Sequence, residues 1–128
     1  MSVELNHTIV WASDSVAAAR FLADLLGRPA PVRFGPFEVV ALDNGASLDF
    51  AISDGLIQSQ HIAFLISEAE FDAVFCRIKA QKLDYWSDPM RRSPDEINHH
   101  DGGRGVYFEA PDGHFFEVIT KPYGGDGS

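Results

Sequence analysis

The chain predicts an α+β protein in which one block, a strand followed by a helix and three further strands, is written twice. Three observations predict it: a self-similarity at a fixed offset, two amphipathic helical stretches, and two hairpins that each carry a carboxylate at one equivalent place. With 128 residues there is room for one domain, expected to fill residues 1-128, with a first module at about 3-54 and a second at about 59-122.

The first block opens with Leu5 to Trp11 and the second with Gln60 to Ile66, both strand-like runs with an early histidine. His7 and His61 stand 54 positions apart, and at the same offset Ser13 matches Ser67 and Phe21 matches Phe75. The stretches that follow therefore correspond as well. The first helix starts after Asp14 or Ser15, places Ala18, Phe21, Leu22, Leu25 and Leu26 on one face, and ends at Gly27 and Pro29. The second carries Ser67 and Glu70 at capping-box spacing and an apolar stripe of Phe71, Val74, Phe75 and Ile78. Cys76 falls off that stripe, with no charged activator nearby in sequence, and reads as a small residue at the helix edge.

Val32 to Phe34, Phe37 to Leu42 and Ala46 to Ile52 complete the first block; a short run at Tyr85-Trp86, then Gly105 to Ala110 and His114 to Thr120, complete the second. The turns Asp43-Asn44-Gly45 and Pro111-Asp112-Gly113 predict hairpins, because Asn-Gly and Asp-Gly supply positive φ at little cost. Asp49 and Glu117 each fall four residues after a turn glycine. Gly55 to Ser59 reads as the join and Gly124 to Ser128 as a flexible tail. The polar stretch from Ser87 to Gly103 is longer than an ordinary loop and is a candidate lid or binding loop; it holds Asn98, His99 and His100.

Alternate residues of a strand share a face. His61 then goes with Ala63 and Leu65, opposite Ile62, Phe64 and Ile66, whose side a helix would cover. Asp49 goes with Ser47 and Ala51, opposite Leu48, Phe50 and Ile52. Parity is less decisive for the other two, since Leu5, Ile9 and Trp11 accompany His7, and Phe115 and Ile119 accompany Glu117; a partly apolar cleft explains both. If the two blocks place their first and last strands alike, His7, His61, Asp49 and Glu117 converge on one concave surface. Two imidazoles and a carboxylate form a competent divalent-metal site with positions left open for substrate or water, and these ligand types admit Fe, Mn, Zn or Ni. Asp49 is then a fourth ligand or a nearby base. A histidine met alone is more often structural; the match at offset 54 and the two matching carboxylates turn the reading toward metal. His114, next to the turn glycine, is expected to fix the hairpin, while His99 and His100 are either solvated or in contact with substrate.

Ten basic residues against nineteen acidic ones give a net charge of −9, which disfavours a general role at nucleic acids or membrane surfaces and suits a metal-borne or cationic partner, although acidity also serves solubility. No apolar run approaches the roughly 20 residues needed to cross a bilayer. The single cysteine precludes an intramolecular disulfide, the opening Met1-Ser2-Val3-Glu4 lacks signal-peptide character, and a cytoplasmic location is expected.

Leu5-Asn6-His7, Gln60-His61-Ile62-Ala63, Gly103-Arg104-Gly105-Val106-Tyr107-Phe108 and Ala110-Pro111-Asp112-Gly113-His114-Phe115-Phe116-Glu117 resemble the vicinal oxygen chelate superfamily, which includes glyoxalase I, extradiol dioxygenases, fosfomycin-resistance proteins and bleomycin-resistance proteins. The resemblance spans nearly the whole chain, and the closing segment from Pro111 to Glu117 is its most specific part. It implies paired βαβββ modules curling into a half-open, mostly antiparallel eight-stranded barrel-like sheet, with metal ligands on the first, fifth and last strands, here His7, His61 and Glu117. It also implies a homodimer. Where glyoxalase I has a second glutamate ligand this chain has Asp49, one methylene shorter, which weakens the case for glyoxalase chemistry. Tyr107 stands where some relatives touch substrate with a tyrosine, and Arg104 lies in the glycine-rich entry to the seventh strand.

The expected function is that of a metal-dependent enzyme, a lyase, isomerase or ring-cleaving dioxygenase, which chelates a small substrate through two adjacent oxygens. Glu117 and Asp49 are the candidate proton carriers, and Tyr107, Trp11, Phe115, Arg104 and His100 the candidate substrate contacts. The alternative is a metal-free binder of a cationic drug-like molecule, favoured by the acidity and by Trp11, Phe37, Trp86 and Phe115, since cations stack on aromatic faces. The ligand triad argues against it. A degenerate interaction module is the third reading, weakened by the survival of four metal-compatible side chains.

Overall fold

In the computed structural model, which describes residues 2–123, the chain divides into two units between Gln58 and Ser59, each a four-stranded sheet with one helix. The expected tail from Gly124 to Ser128 lies outside the described residues. The first unit runs β1 (His7–Ala12), α1 (Ser15–Leu26), β2 (Val32–Phe34), β3 (Phe37–Ala41) and β4 (Ser47–Ile52). The second repeats that order with β5 (His61–Leu65), α2 (Glu68–Ala80), β6 (Tyr85–Trp86), β7 (Gly105–Glu109) and β8 (Phe115–Ile119). The spatial orders are β1-β4-β3-β2 and β5-β8-β7-β6, so the last strand of each unit lies inside its sheet, parallel to the first strand and antiparallel to the third. The doubled α+β plan is the expected one, and the eight strands hydrogen bond as two sheets of four.

Local chemistry sets the ends of the helices. The Asp14 carboxylate accepts the Ala17 N–H at 3.0 Å, and Gly27, at φ 70°, closes α1 in the left-handed conformation that glycine tolerates best. Ser67 and Glu70 form the reciprocal capping box of α2, at 3.1 and 2.9 Å. Phe71, Val74 and Ile78 are buried as expected, and Phe75 sits half-buried with its ring edge-on to Tyr85 at 5.2 Å. In α1 the buried stripe is rotated from the expected one: Ala19 and Ala23 join Ala18, Leu22 and Leu25 inside, whereas Phe21 and Leu26 are half-buried. The small alanines let this helix lie close to the sheet, and the bulkier residues are left at its margin.

Val10, Ala12, Val40, Leu48 and Phe50 form the core on the helix side of the first sheet, and Phe64, Val106, Phe108, Phe116 and Val118 that of the second. Ile52, expected with Leu48 and Phe50, is exposed at the strand end. Strand β1 begins at His7 rather than Leu5, because its parallel partner β4 begins only at Ser47. At the hairpin turns Gly45 and Gly113 have φ of 86° and 81°; Asp112 is also left-handed at 66°, whereas Asn44 is not. Among the described residues no helix is long and apolar enough to cross a membrane.

The long stretch from Ser87 to Gly103 is tied down at both ends. The Ser87 N–H donates to the Ser93 carbonyl, and the Asp88 carboxylate accepts the N–H groups of Arg92 and Ser93 at 2.9 and 2.8 Å. Asn98 exchanges both backbone hydrogen bonds with Gly105 and donates its side-chain amide to the Ser87 carbonyl at 2.9 Å. The glycines that frame the return into β7 are there for space. A Cβ on Gly103 would stand 2.6 Å from the Thr120 hydroxyl oxygen, and one on Gly105 would stand 2.9 Å from the Asn98 side-chain oxygen.

Gly103→Ala is expected to cost about 1–3 kcal/mol, the usual range for overpacking, because the new methyl displaces the hydroxyl that accepts the Arg104 N–H at 2.8 Å. Gly113→Ala, with nothing within 4 Å of the new methyl, carries only the left-handed backbone penalty of about 1 kcal/mol. Urea unfolding midpoints separate the two; equal losses would show that the Thr120 contact constrains nothing.

Candidate active site

Register decides which side chains meet. In the second unit His61 pairs with Phe115, Ala63 with Glu117, Tyr107 with Glu117 and Trp86 with Tyr107, and paired residues share a sheet face. These side chains therefore occupy the face opposite α2. Glu117, in the middle of β8, is only 1% exposed, and its Oε1 lies 3.0 Å from Nε2 of the exposed His61. Its other oxygen, Oε2, is buried and makes no hydrogen bond of good geometry among the described residues, although the Tyr107 phenol interacts with the carboxylate. A buried carboxylate oxygen left in that condition is costly and marks a place where something cationic or protic is missing.

Aromatic rings surround the pair. His61 stands edge-on to Tyr107 at 5.7 Å and to Phe115 at 6.0 Å, Tyr107 and Phe115 stack at 5.4 Å, and Trp86 meets Phe115 at 5.6 Å. The Tyr107 hydroxyl hydrogen bonds to the Tyr123 hydroxyl at 3.0 Å. Burial first, and the Glu117 carboxylate second, push the Tyr107 phenol well above its ordinary range. It is therefore a neutral donor at physiological pH.

In the first unit His7, Trp11 and Asp49 lie on the corresponding sheet face, with Ile9 paired to Asp49 as Ala63 is to Glu117. His7 is exposed, its Nδ1 2.7 Å from the Asn6 side-chain oxygen, and Trp11 is partly exposed. Asp49 is half-buried and accepts the Ser47 hydroxyl at 2.8 Å. The second unit by itself thus gathers His61, Glu117, Tyr107 and Phe115. Among the described residues no three His, Cys, Asp or Glu side chains are grouped to hold an ion.

Arg104 and His100, two of the expected substrate contacts, lie at the margins of this cluster. Arg104 faces α2, bonding Glu68 at 2.7 Å and Asp72 at 2.8 Å with its guanidinium 4.4 Å from the Phe71 ring centre. The reason is parity: Tyr107 and Glu109 share the site-facing side of β7, so Arg104, three residues before Tyr107, turns toward the helix. His100 opens a short 3₁₀ turn, and its ring lies 6.2 Å from that of Tyr123, whose hydroxyl in turn bonds Tyr107. His114 is buried, and its Nδ1 accepts the Gln60 N–H at 3.0 Å, which ties the entry of β5 to the start of β8. Sequence reasoning passed over Arg91 and Tyr123, one inside the long loop and the other past the last strand; neither position has a periodic signal to expose it.

No family model matches the chain. Among solved structures it is similar to Oxidase ChaP-H1, 58% identical with a TM-score of 0.95 over 97% of this chain and 100% of that one. Oxidase ChaP-H2 is 55% identical with a TM-score of 0.96, covered in full on both sides. Metallothiol transferase FosB of Lysinibacillus sphaericus (strain C3-41) is 29% identical over 121 residues, 91% of this chain and 81% of its own length. The chain belongs to the vicinal oxygen chelate superfamily. Its relatives in that superfamily are named as enzymes, an oxidase and a transferase among them. His61 Nε2 and Glu117 Oε1, 3.0 Å apart, are close enough together for both to face one bound ion. An imidazole and a carboxylate with a spare buried oxygen suit a divalent ion of the Fe, Mn, Zn or Ni type. The residues of the second unit therefore fit the two-donor part of a superfamily metal site.

On the opposite face, hydrogen bonds from Thr120 and then from Arg104 hold the Glu68 carboxyl below the usual carboxylate range. A depressed folded value means that its contribution to stability is full above the ordinary glutamate pKa of about 4.3 and is lost as the pH falls through the folded value. Glu68→Gln is expected to be less stable than the parent at neutral pH, and the gap should close in acid. A gap in denaturation midpoint that is independent of pH would rule out this linkage.

Proposed function

We propose that this protein is a metal-dependent oxidase of the superfamily, acting with dioxygen on a small organic molecule that carries two adjacent oxygen atoms. The observation that supports it most is the buried Glu117, one oxygen on His61 and the other without a hydrogen bond of good geometry, in a chain that resembles two oxidases over its whole length. His61 and Glu117 are two of the proposed ligands, and His7, which the sequence repeat places at the same point of the first sheet, is the third. A bound divalent ion would supply Lewis-acid chelation of the two substrate oxygens and, as iron, electron exchange with dioxygen.

The chain's own residues have definable roles. Glu117 on β8 and His61 on β5 would hold the ion. Tyr107, kept protonated by its surroundings, donates a hydrogen bond to a substrate oxygen and orients it. Phe115 and Trp86 form an apolar wall that keeps water from one side of the substrate. Asp49, already bonded by Ser47, is better suited to take a proton from a substrate hydroxyl than to ligate. A homodimer is the proposed assembly, by kinship. Sequestration of a cationic molecule is the weaker reading, because the Phe115 and Trp86 rings it would use already carry the Arg91 guanidinium, at 4.4 and 4.8 Å.

Elemental analysis of protein purified without chelator tests the proposal. The parent should hold stoichiometric metal, and His7→Ala, His61→Ala and Glu117→Gln should each fall to background. The iron-loaded parent should consume dioxygen on addition of a catechol-type substrate and the zinc-loaded parent should not. Equal, low metal in all four proteins would favour the binder instead.

A further inference from the structure

Arg91 occupies a position that the proposed chemistry does not yet explain. Its guanidinium carbon lies 4.4 Å from the centre of the Phe115 ring and 4.8 Å from that of Trp86, while one nitrogen bonds Glu109 Oε1 at 2.5 Å. Phe115 is the ring that also meets His61 and Tyr107. A cation is thus fixed one ring away from the candidate ligands, on the same sheet face. The backbone at Arg91 is left-handed, with φ 59°, a conformation disfavoured for a residue with a side chain. It is held by the Arg91 N–H on the Asp88 carbonyl and by the Asp88 carboxylate on the next two N–H groups. A partly exposed ion pair with Glu109 adds little stability and does not account for such a setting.

A guanidinium has five N–H donors in a planar fork that matches a carboxylate. Glu109 engages one nitrogen, and the Arg91 side chain remains 41% exposed. In a chain of net charge −9 an anionic substrate needs a local cation to approach. We propose that Arg91 determines specificity: it takes a carboxylate of a substrate whose adjacent oxygens are held at His61 and Glu117, and Glu109 is the internal competitor that the substrate displaces. This rests on the chelating reading of the His61–Glu117 pair.

The test is calorimetric titration of the Mn²⁺-loaded full chain with catechol and with 3,4-dihydroxybenzoate, the same adjacent oxygens with an added carboxylate. The parent should prefer the carboxylate probe by about tenfold, the scale of one charge-assisted pair. Arg91→Gln should remove that preference and Arg91→Lys should retain part of it. Glu109→Gln, which removes the competitor, should widen it. An equal preference in the parent and Arg91→Gln, or a preference that shrinks in Glu109→Gln, overturns the assignment of Arg91 while leaving catechol binding, and with it the chelating pair, intact. If neither probe binds the metal-loaded parent, the chelating reading fails and this inference falls with it.

Discussion

The arrangement of the second unit depends on one buried charge. Glu117 sits in an interior strand with a strand on either side, so its backbone has no freedom to carry the carboxylate out to solvent. Moving an unpaired carboxylate out of water costs several kcal/mol, and His61 answers only one of its oxygens. The position opposite Glu117 on β5 is Ala63, whose small side chain leaves room above the sheet; on the other side stands Tyr107. Glu117 is therefore an energetic cost that the rest of the unit has to tolerate.

That tolerance is possible because the opposite face does the stabilising. Phe64, Phe108 and Phe116 interlock edge to face at 5.9 and 6.1 Å beneath Phe71, Val74 and Ile78 of the helix, contacts of the kind that add about 0.5–1.5 kcal/mol per pair beyond their area. Arg104 adds a hydrogen-bonded clamp from the start of β7 to Glu68 and Asp72. Period-two alternation along β5, β7 and β8 separates the two tasks strictly: one set of residues makes the core and the other is free for chemistry. The long loop belongs to the second set, since its anchors at Asp88 and Asn98 bring Arg91 over the site-facing rings.

Much of this was legible in the sequence, and for identifiable reasons. The offset between His7 and His61, the capping box at Ser67 and the turn glycines are local signals that survive without tertiary context, and they gave the elements and the doubled order. The face of His61 was legible too, because Phe64 is unambiguously core. Three things were not. The stripe of α1 was rotated because hydrophobicity ranks Phe21 above Ala19, whereas close approach to a sheet favours the smaller residue. Arg104 lies in a glycine-rich entry whose spacing marks it as a substrate contact, whereas its parity, opposite to that of Tyr107, turns it toward the helix. Arg91 and Tyr123 reach the aromatic cluster through irregular backbone, and no spacing rule predicts where such backbone leads.

Comparison of the two units shows how the repeat has diverged. Ser47 and Phe115 hold the same register, each opposite the histidine of its parallel strand. Ser47 donates its hydroxyl to Asp49, so the first unit's carboxylate is satisfied from its own strand. Phe115 has no donor, and Glu117, two residues on, must find its partner on a neighbouring strand in His61. The same exchange recurs further out: Val39 pairs with Asp49 where Tyr107 pairs with Glu117, and Val32 pairs with Val39 where Trp86 pairs with Tyr107. Replacing a hydroxyl by a ring at one position thus leaves a carboxylate short of hydrogen bonds, and replacing aliphatic residues by rings at two others surrounds it with low-dielectric walls. Both changes strengthen the attraction of that carboxylate for a cation, and both fall on the second unit. Asp49, although it occupies the equivalent register, is by the same reasoning the less demanding of the two acids.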